Sequence, residues 1–86
     1  MRLDLDGQDW ELRWVRRFHG QPNQAGDCHL EKRRIRVLRG LSEAERLRVV
    51  VHELLHALQW KASEKRVDRT SVEIARVLRR LGSRRG

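Results

Sequence analysis

Cysteine is nearly absent from this chain. Cys28 stands alone, so no internal disulfide can brace the fold, and a reducing, cytoplasmic setting is the expectation. Proline occurs once, at Pro22, and tyrosine not at all, so no phenol can serve as a hydrogen-bond donor in a site. No stretch approaches the roughly 20 apolar residues that a membrane span needs. The opening segment Met1–Trp14 alternates acidic and apolar residues, which is not the pattern of a signal peptide. A length of 86 residues implies one domain, 1–86, with a small core.

Charge, by contrast, is abundant. The net charge is +8, and arginine supplies more of it than lysine. Arg33, Arg34, Arg36 and Arg39 form one cluster, and Arg76, Arg79, Arg80, Arg84 and Arg85 crowd the end of the sequence. Such a surface favours acidic partners, nucleic acid among them. Arginine late in a helix also complements the helix dipole, and no aromatic-basic interleaving accompanies these residues.

Arg2–Leu5 and Trp10–Phe18 read as strands joined by the turn Asp6-Gly7-Gln8-Asp9. Trp10, Leu12, Trp14 and Phe18 recur at even spacing on the face expected to be buried. His19–Asp27, with Gly20, Pro22, Asn23 and Gly26, reads as a loop. Cys28–Leu30 and Arg34–Leu38 follow, either as a tight hairpin through Glu31–Arg33, the preferred reading, or as one bent strand. Ser42 with Glu45 makes a capping box that starts a helix running to about Trp60, with Leu47, Val50, Val51, Leu54 and Leu58 as its core stripe. Ser63 caps a second helix, whose apolar face is Val67, Ile74, Val77, Leu78 and Leu81 and which Gly82 ends. The expected architecture is α+β: a small antiparallel sheet followed by two helices.

The first of those helices carries His52-Glu53-Leu54-Leu55-His56. Histidines four apart lie one turn above each other, so both rings can reach one metal ion. Glu53 sits where a carboxylate can take a proton from a metal-activated water. A random chain of this composition would contain the pattern about one time in seventy. The plainer alternative is two surface histidines and a solvated glutamate on a helix that packs through Leu54, Leu55 and Leu58. His52 and His56, with Val49, fall at the edge of the expected core stripe. A ligand pair needs that position, supported on one side and open on the other.

Two histidines hold zinc poorly, and a catalytic site usually has a third protein ligand and one open position. Glu64, Asp68, His29 and Cys28 are the candidates. In an antiparallel helical hairpin centred near Ala62, the residue facing His56 is Asp68. Glu64 and Asp68 also suit a helix start, where negative charge favours the dipole. A lone Cys28 is more simply a buried thiol.

His52-Glu53-Leu54-Leu55-His56 followed by Ser63-Glu64-Lys65-Arg66-Val67-Asp68 resembles the zincin metalloproteases, and among them the gluzincins. That resemblance implies Glu64 as third ligand to one zinc ion and Asp68 as the partner that orients His52. The link between the helices, about three residues on this reading, is shorter than gluzincins usually have. Gly26-Asp27-Cys28, then Ile35-Arg36-Val37, then Val51-His52-Glu53 also resembles the SprT-like proteins, many of which add a third histidine that has no counterpart beyond His56. The chain is similar as well to the compact repressor-cleaving metallopeptidases of mobile elements. In zincins the strand before the active helix pairs with extended substrate. The resemblance therefore implies that Arg33–Leu38 has an open edge on the cleft.

These residues lead to an expected zinc metallopeptidase in which Glu53 is the general base and a polypeptide is the substrate. With no tyrosine to steady the oxyanion, His29, His19, an arginine or the metal itself must do so, His29 being the preferred histidine because it lies on the sheet. The competing reading is a non-catalytic basic domain that binds metal and contacts nucleic acid or a protein. A purely structural zinc site does not need Glu53 and requires a fourth protein ligand.

Overall fold

The computed structural model describes residues 1–20, 23–59 and 61–83. Its elements are β1 (Arg2–Leu5), β2 (Gln8–Val15), β3 (Gly26–His29), β4 (Arg34–Leu38), α1 (Glu43–Ala57) and α2 (Glu64–Ser83). The fold is α+β, as the patterning implies. Asp6 and Gly7, both at positive φ, close the first hairpin as a two-residue turn. Leu5 therefore pairs with Gln8, and the turn is shorter than the four residues expected. The second hairpin forms as preferred, turning through residues 30–33 with Arg33 at φ 50°.

The sheet is mixed rather than antiparallel. Its order is β1-β2-β4-β3, and β2 and β4 run parallel, with Leu12 opposite Ile35 and Trp14 opposite Val37. After β2 the chain crosses to the far edge, makes β3 there, and returns as β4 between β2 and β3. Local patterning specifies each hairpin but not where the second docks on the first. One consequence corrects the substrate expectation. β4 is hydrogen-bonded on both sides, so Arg34–Leu38 has no open edge, and the edge strands are β1 and β3, with β3 the one beside β4.

One sheet face packs on α1. Trp10, Leu12, Ile35 and Val37 form the core with Val49 and Ala57. Val49, Glu53 and Ala57, each one turn on from the last, are buried, as is Val51, whereas Leu58 is exposed. The expected stripe is therefore displaced, because α1 lies between the sheet and α2 and buries more than one face. Phe18 is buried too, but outside this core and beyond the end of β2, with the Arg36 guanidinium 5.0 Å from its ring centre. Trp14, expected on the buried face, is exposed.

Ser42 and Ser63 both cap as their positions imply, accepting from the backbone N–H groups of Glu45 and Arg66 at 3.2 Å each. α2 continues through Gly82 to Ser83. Its buried positions are Val67, Ser71 and Ala75, while Ile74, Val77, Leu78 and Leu81 are exposed. Small residues at 71 and 75 let the two helices approach closely, and the bulkier stripe beside them is left outside. Trp60, the expected end of the first helix, lies outside the described residues, as do Pro22, Arg84 and Arg85.

Candidate metal centre

α1 ends at Ala57 and α2 begins at Glu64, so residues 58–63 form a longer link than the three or so expected. The hairpin is therefore centred nearer residue 60 than residue 62, and the facing pairs change. His56 meets the turn that bears Glu64, and His52 meets the turn that bears Asp68. The two Nε2 atoms lie 3.1 Å apart. Glu64 bridges them, with Oε1 3.0 Å from His56 Nε2 and Oε2 3.5 Å from His52 Nε2. Asp68 Oδ1 is 3.0 Å from the other nitrogen of His52, Nδ1.

These distances test whether a metal suits the residues. Three donors each about 2.0–2.2 Å from a tetrahedral zinc ion are roughly 3.3–3.6 Å from one another. The observed separations of 3.0–3.5 Å, which use both oxygens of Glu64, are close to those values, and one donor atom from each of the three residues lies within 4.8 Å of the other two. Asp68 Oδ1 is placed to accept from His52 Nδ1–H, and the tautomer with its proton there leaves the Nε2 lone pair for the cluster, as a metal ligand at that nitrogen requires. The charge balance also favours a cation, since Glu53, Glu64 and Asp68 gather around the two imidazoles. His52, His56 and Glu64 thus fit a divalent ion, and Asp68 fits the role of orienting His52.

Glu53 is buried, with 7% of its surface exposed, whereas Glu64 and Asp68 are open to solvent. It lines a cavity of about 220 Å³ together with His52, Asp68, Gly26, Ala25 and Arg48. Burial, reinforced by the charges of Asp27 and Glu64, pushes its carboxyl up to about 7. Gly26 makes that burial possible. A Cβ added there would sit 2.6 Å from Val49 Cγ1 and 3.1 Å from Glu53 Oε2, so β3 can press against α1 only with glycine at this position.

Several other residues fall elsewhere. His29 ends β3 on the sheet face opposite Cys28, and its Nδ1 accepts from the Lys32 N–H at 3.3 Å. His19 is exposed. Neither lines the cavity. Cys28 packs against the core rather than joining the ligand cluster, and burial, with Glu53 and Asp27 nearby, pushes its thiol up to about 11. Sequence reasoning missed Gly26 and Arg48 as contributors to the site. Arg48 had a signal, since it precedes His52 by one helical turn. Gly26 had one only in the SprT-like resemblance, in which a glycine precedes the strand. Among the described residues, no helix is long and apolar enough to cross a membrane. Comparison of the chain with protein-family models, curated proteins and solved structures finds no match.

Proposed function

We propose that this protein is a zinc-dependent metallopeptidase whose ligands are His52, His56 and Glu64. One observation carries the reading: His52, His56 and Glu64 gather donor atoms within 4.8 Å of one another, and one of them, His52, lines a cavity with a buried carboxylate, Glu53, that is not in the cluster. The chemistry supplied by zinc in such a set is Lewis acidity, which brings the pKa of a water to about 7 and polarises a carbonyl.

The remaining work belongs to the chain. Glu53, held beside His52 and shielded by Gly26, accepts the proton as water attacks the peptide carbonyl, then delivers it to the departing amine. Asp68 keeps the His52 ring in the orientation and tautomer that leave Nε2 available. Since neither histidine candidate lines the cavity, Arg48 takes over the proposed part of steadying the oxyanion. The substrate backbone adds to the open edge of β3, which Gly26 brings alongside Glu53.

Glu53→Gln tests this reading. The amide has nearly the same shape but cannot act as a base. The variant should keep its zinc and its melting temperature while hydrolysis of casein disappears. Activity that survives the substitution would make Glu53 a bystander, and loss of zinc along with activity would make it a structural residue.

A further inference from the structure

The seam between α1 and α2 does not end at the histidines. One turn before His52 on α1 stands Arg48, and one turn after Asp68 on α2 stands Val72. Beyond them a cavity of about 620 Å³ opens between the helices, and Arg48 lines both it and the cavity of about 220 Å³ at the site. The larger part has Arg76, Arg79 and Arg80 on its α2 wall and Val72 and Ala75 along its floor. The first turn of α1, at Ala44 and Glu45, closes the other side, bringing the positive end of that helix to the groove. Arg48, Arg76 and Arg80 line it with one glutamate, Glu45.

Two arginines of the sheet cluster are held in ion pairs. Arg34 is paired with Glu11 at 3.2 Å, and both nitrogens of the Arg36 fork are engaged by Asp27. The positive charge along the helical seam begins at Arg48, one turn or roughly 6 Å from His52, and continues to Arg76 and Arg80, roughly 12 and 18 Å along α2 from Asp68.

We propose that this groove selects polypeptide substrates carrying an acidic segment close to the scissile bond. The inference rests on the peptidase reading and adds the substrate class. Carboxylates of the segment pair with Arg76 and Arg80, and its aliphatic parts lie on Val72 and Ala75. Charge complementarity of this kind gives selectivity and faster encounter. An acidic polypeptide suits the groove better than nucleic acid does. Its floor is aliphatic, none of the residues lining the larger cavity is aromatic and able to stack a base, and Glu45 would oppose a continuous phosphate backbone.

Binding to the zinc-loaded Glu53→Gln protein tests this without turnover. Two fluorescein-labelled peptides are compared by anisotropy, one with a run of aspartates and one with asparagines in their place. The aspartate peptide should bind about tenfold tighter or more, and the preference should shrink as salt rises from about 0.1 M to about 1 M. The double variant Arg76→Glu/Arg80→Glu, with zinc content and circular dichroism unchanged, should lose the preference. Should those reversals perturb the fold, Arg76→Gln/Arg80→Gln carries the same test with a smaller expected loss. Equal affinity for the two peptides, or a preference that survives both pairs of substitutions, would overturn the proposal. So would a single-stranded oligonucleotide that binds more tightly than the aspartate peptide and is released by the same substitutions. Cleavage by the unmodified protein is assayed separately. If it cleaves neither peptide while the binding preference stands, the peptidase reading falls and the acidic-segment groove remains.

Discussion

Gly26→Ala should be among the most damaging single-methyl substitutions in this protein. The added Cβ would meet Val49 Cγ1 at 2.6 Å, the Arg36 carbonyl oxygen at 3.1 Å and Glu53 Oε2 at 3.1 Å. Retreat is difficult on each side. Gly26 is locked in register opposite Val37, the Arg36 carbonyl is sheet backbone, and Val49 is core. Overpacking of this kind costs about 1–3 kcal/mol. In a domain of this size each kcal/mol lowers the melting temperature by about 4–8 °C, so a fall of roughly 4–24 °C is expected. Thermal and urea melts followed by circular dichroism measure it. Val49→Ala in the same chain removes the closest contact, so the double variant should be more stable than the two single losses summed, by about 0.5–3 kcal/mol. Glu53 should also be displaced, and casein hydrolysis should fall further than stability alone accounts for. A Gly26→Ala protein that melts and cleaves like the parent would refute the close approach of β3 to α1, and with it the reason given for the burial of Glu53.

Other expectations follow from the same geometry. Glu64→Ala should weaken zinc binding, measured by competition with a chelating dye, by more than Asp68→Ala does, because orienting partners typically cost about 10–100-fold. The two losses should not add, since Asp68 acts through His52 on the same ion. The reverse order would make Asp68 the ligand. Cys28, with its thiol raised from 9.0 to about 11, should react with iodoacetamide at pH 8 about 100-fold more slowly in the folded protein than in urea. The folded rate should climb about tenfold per pH unit until near 11, because only the thiolate reacts. A rate equal to that in urea would mean that the thiol is not held in the core.

What was legible in the sequence is what short-range chemistry decides. Ser42 and Ser63 are readable as caps because a hydroxyl three residues before a free N–H needs no distant partner. His52 and His56 are readable as a pair because helical spacing alone brings them together. The order of the sheet was not readable, since placing β4 between β2 and β3 depends on a crossover that hydrophobic alternation does not encode. The buried face of α2 was misjudged for a related reason. Periodicity weights large apolar side chains, so it selects Ile74, Val77, Leu78 and Leu81, whereas close helix packing selects the small neighbours Ser71 and Ala75. The question of Glu64 against Asp68 turned on the length of the link. A shift of the hairpin centre by less than one helical turn exchanges which carboxylate faces which histidine. Arg48 escaped notice because its importance comes from the second helix that packs beside it.

Zinc stoichiometry tests the central claim most directly. The parent, His52→Ala and His56→Ala proteins are dialysed against zinc, then against buffer, and their metal is counted by elemental analysis. Binding restricted to the folded state should also raise the melting temperature of the parent, by the equivalent of about 2.7 kcal/mol when free zinc is a hundredfold above the dissociation constant. The account predicts one zinc per chain for the parent, none retained by either variant, and no zinc-dependent rise in their melting temperatures. A parent that retains no zinc, or variants that retain as much as the parent, would contradict it.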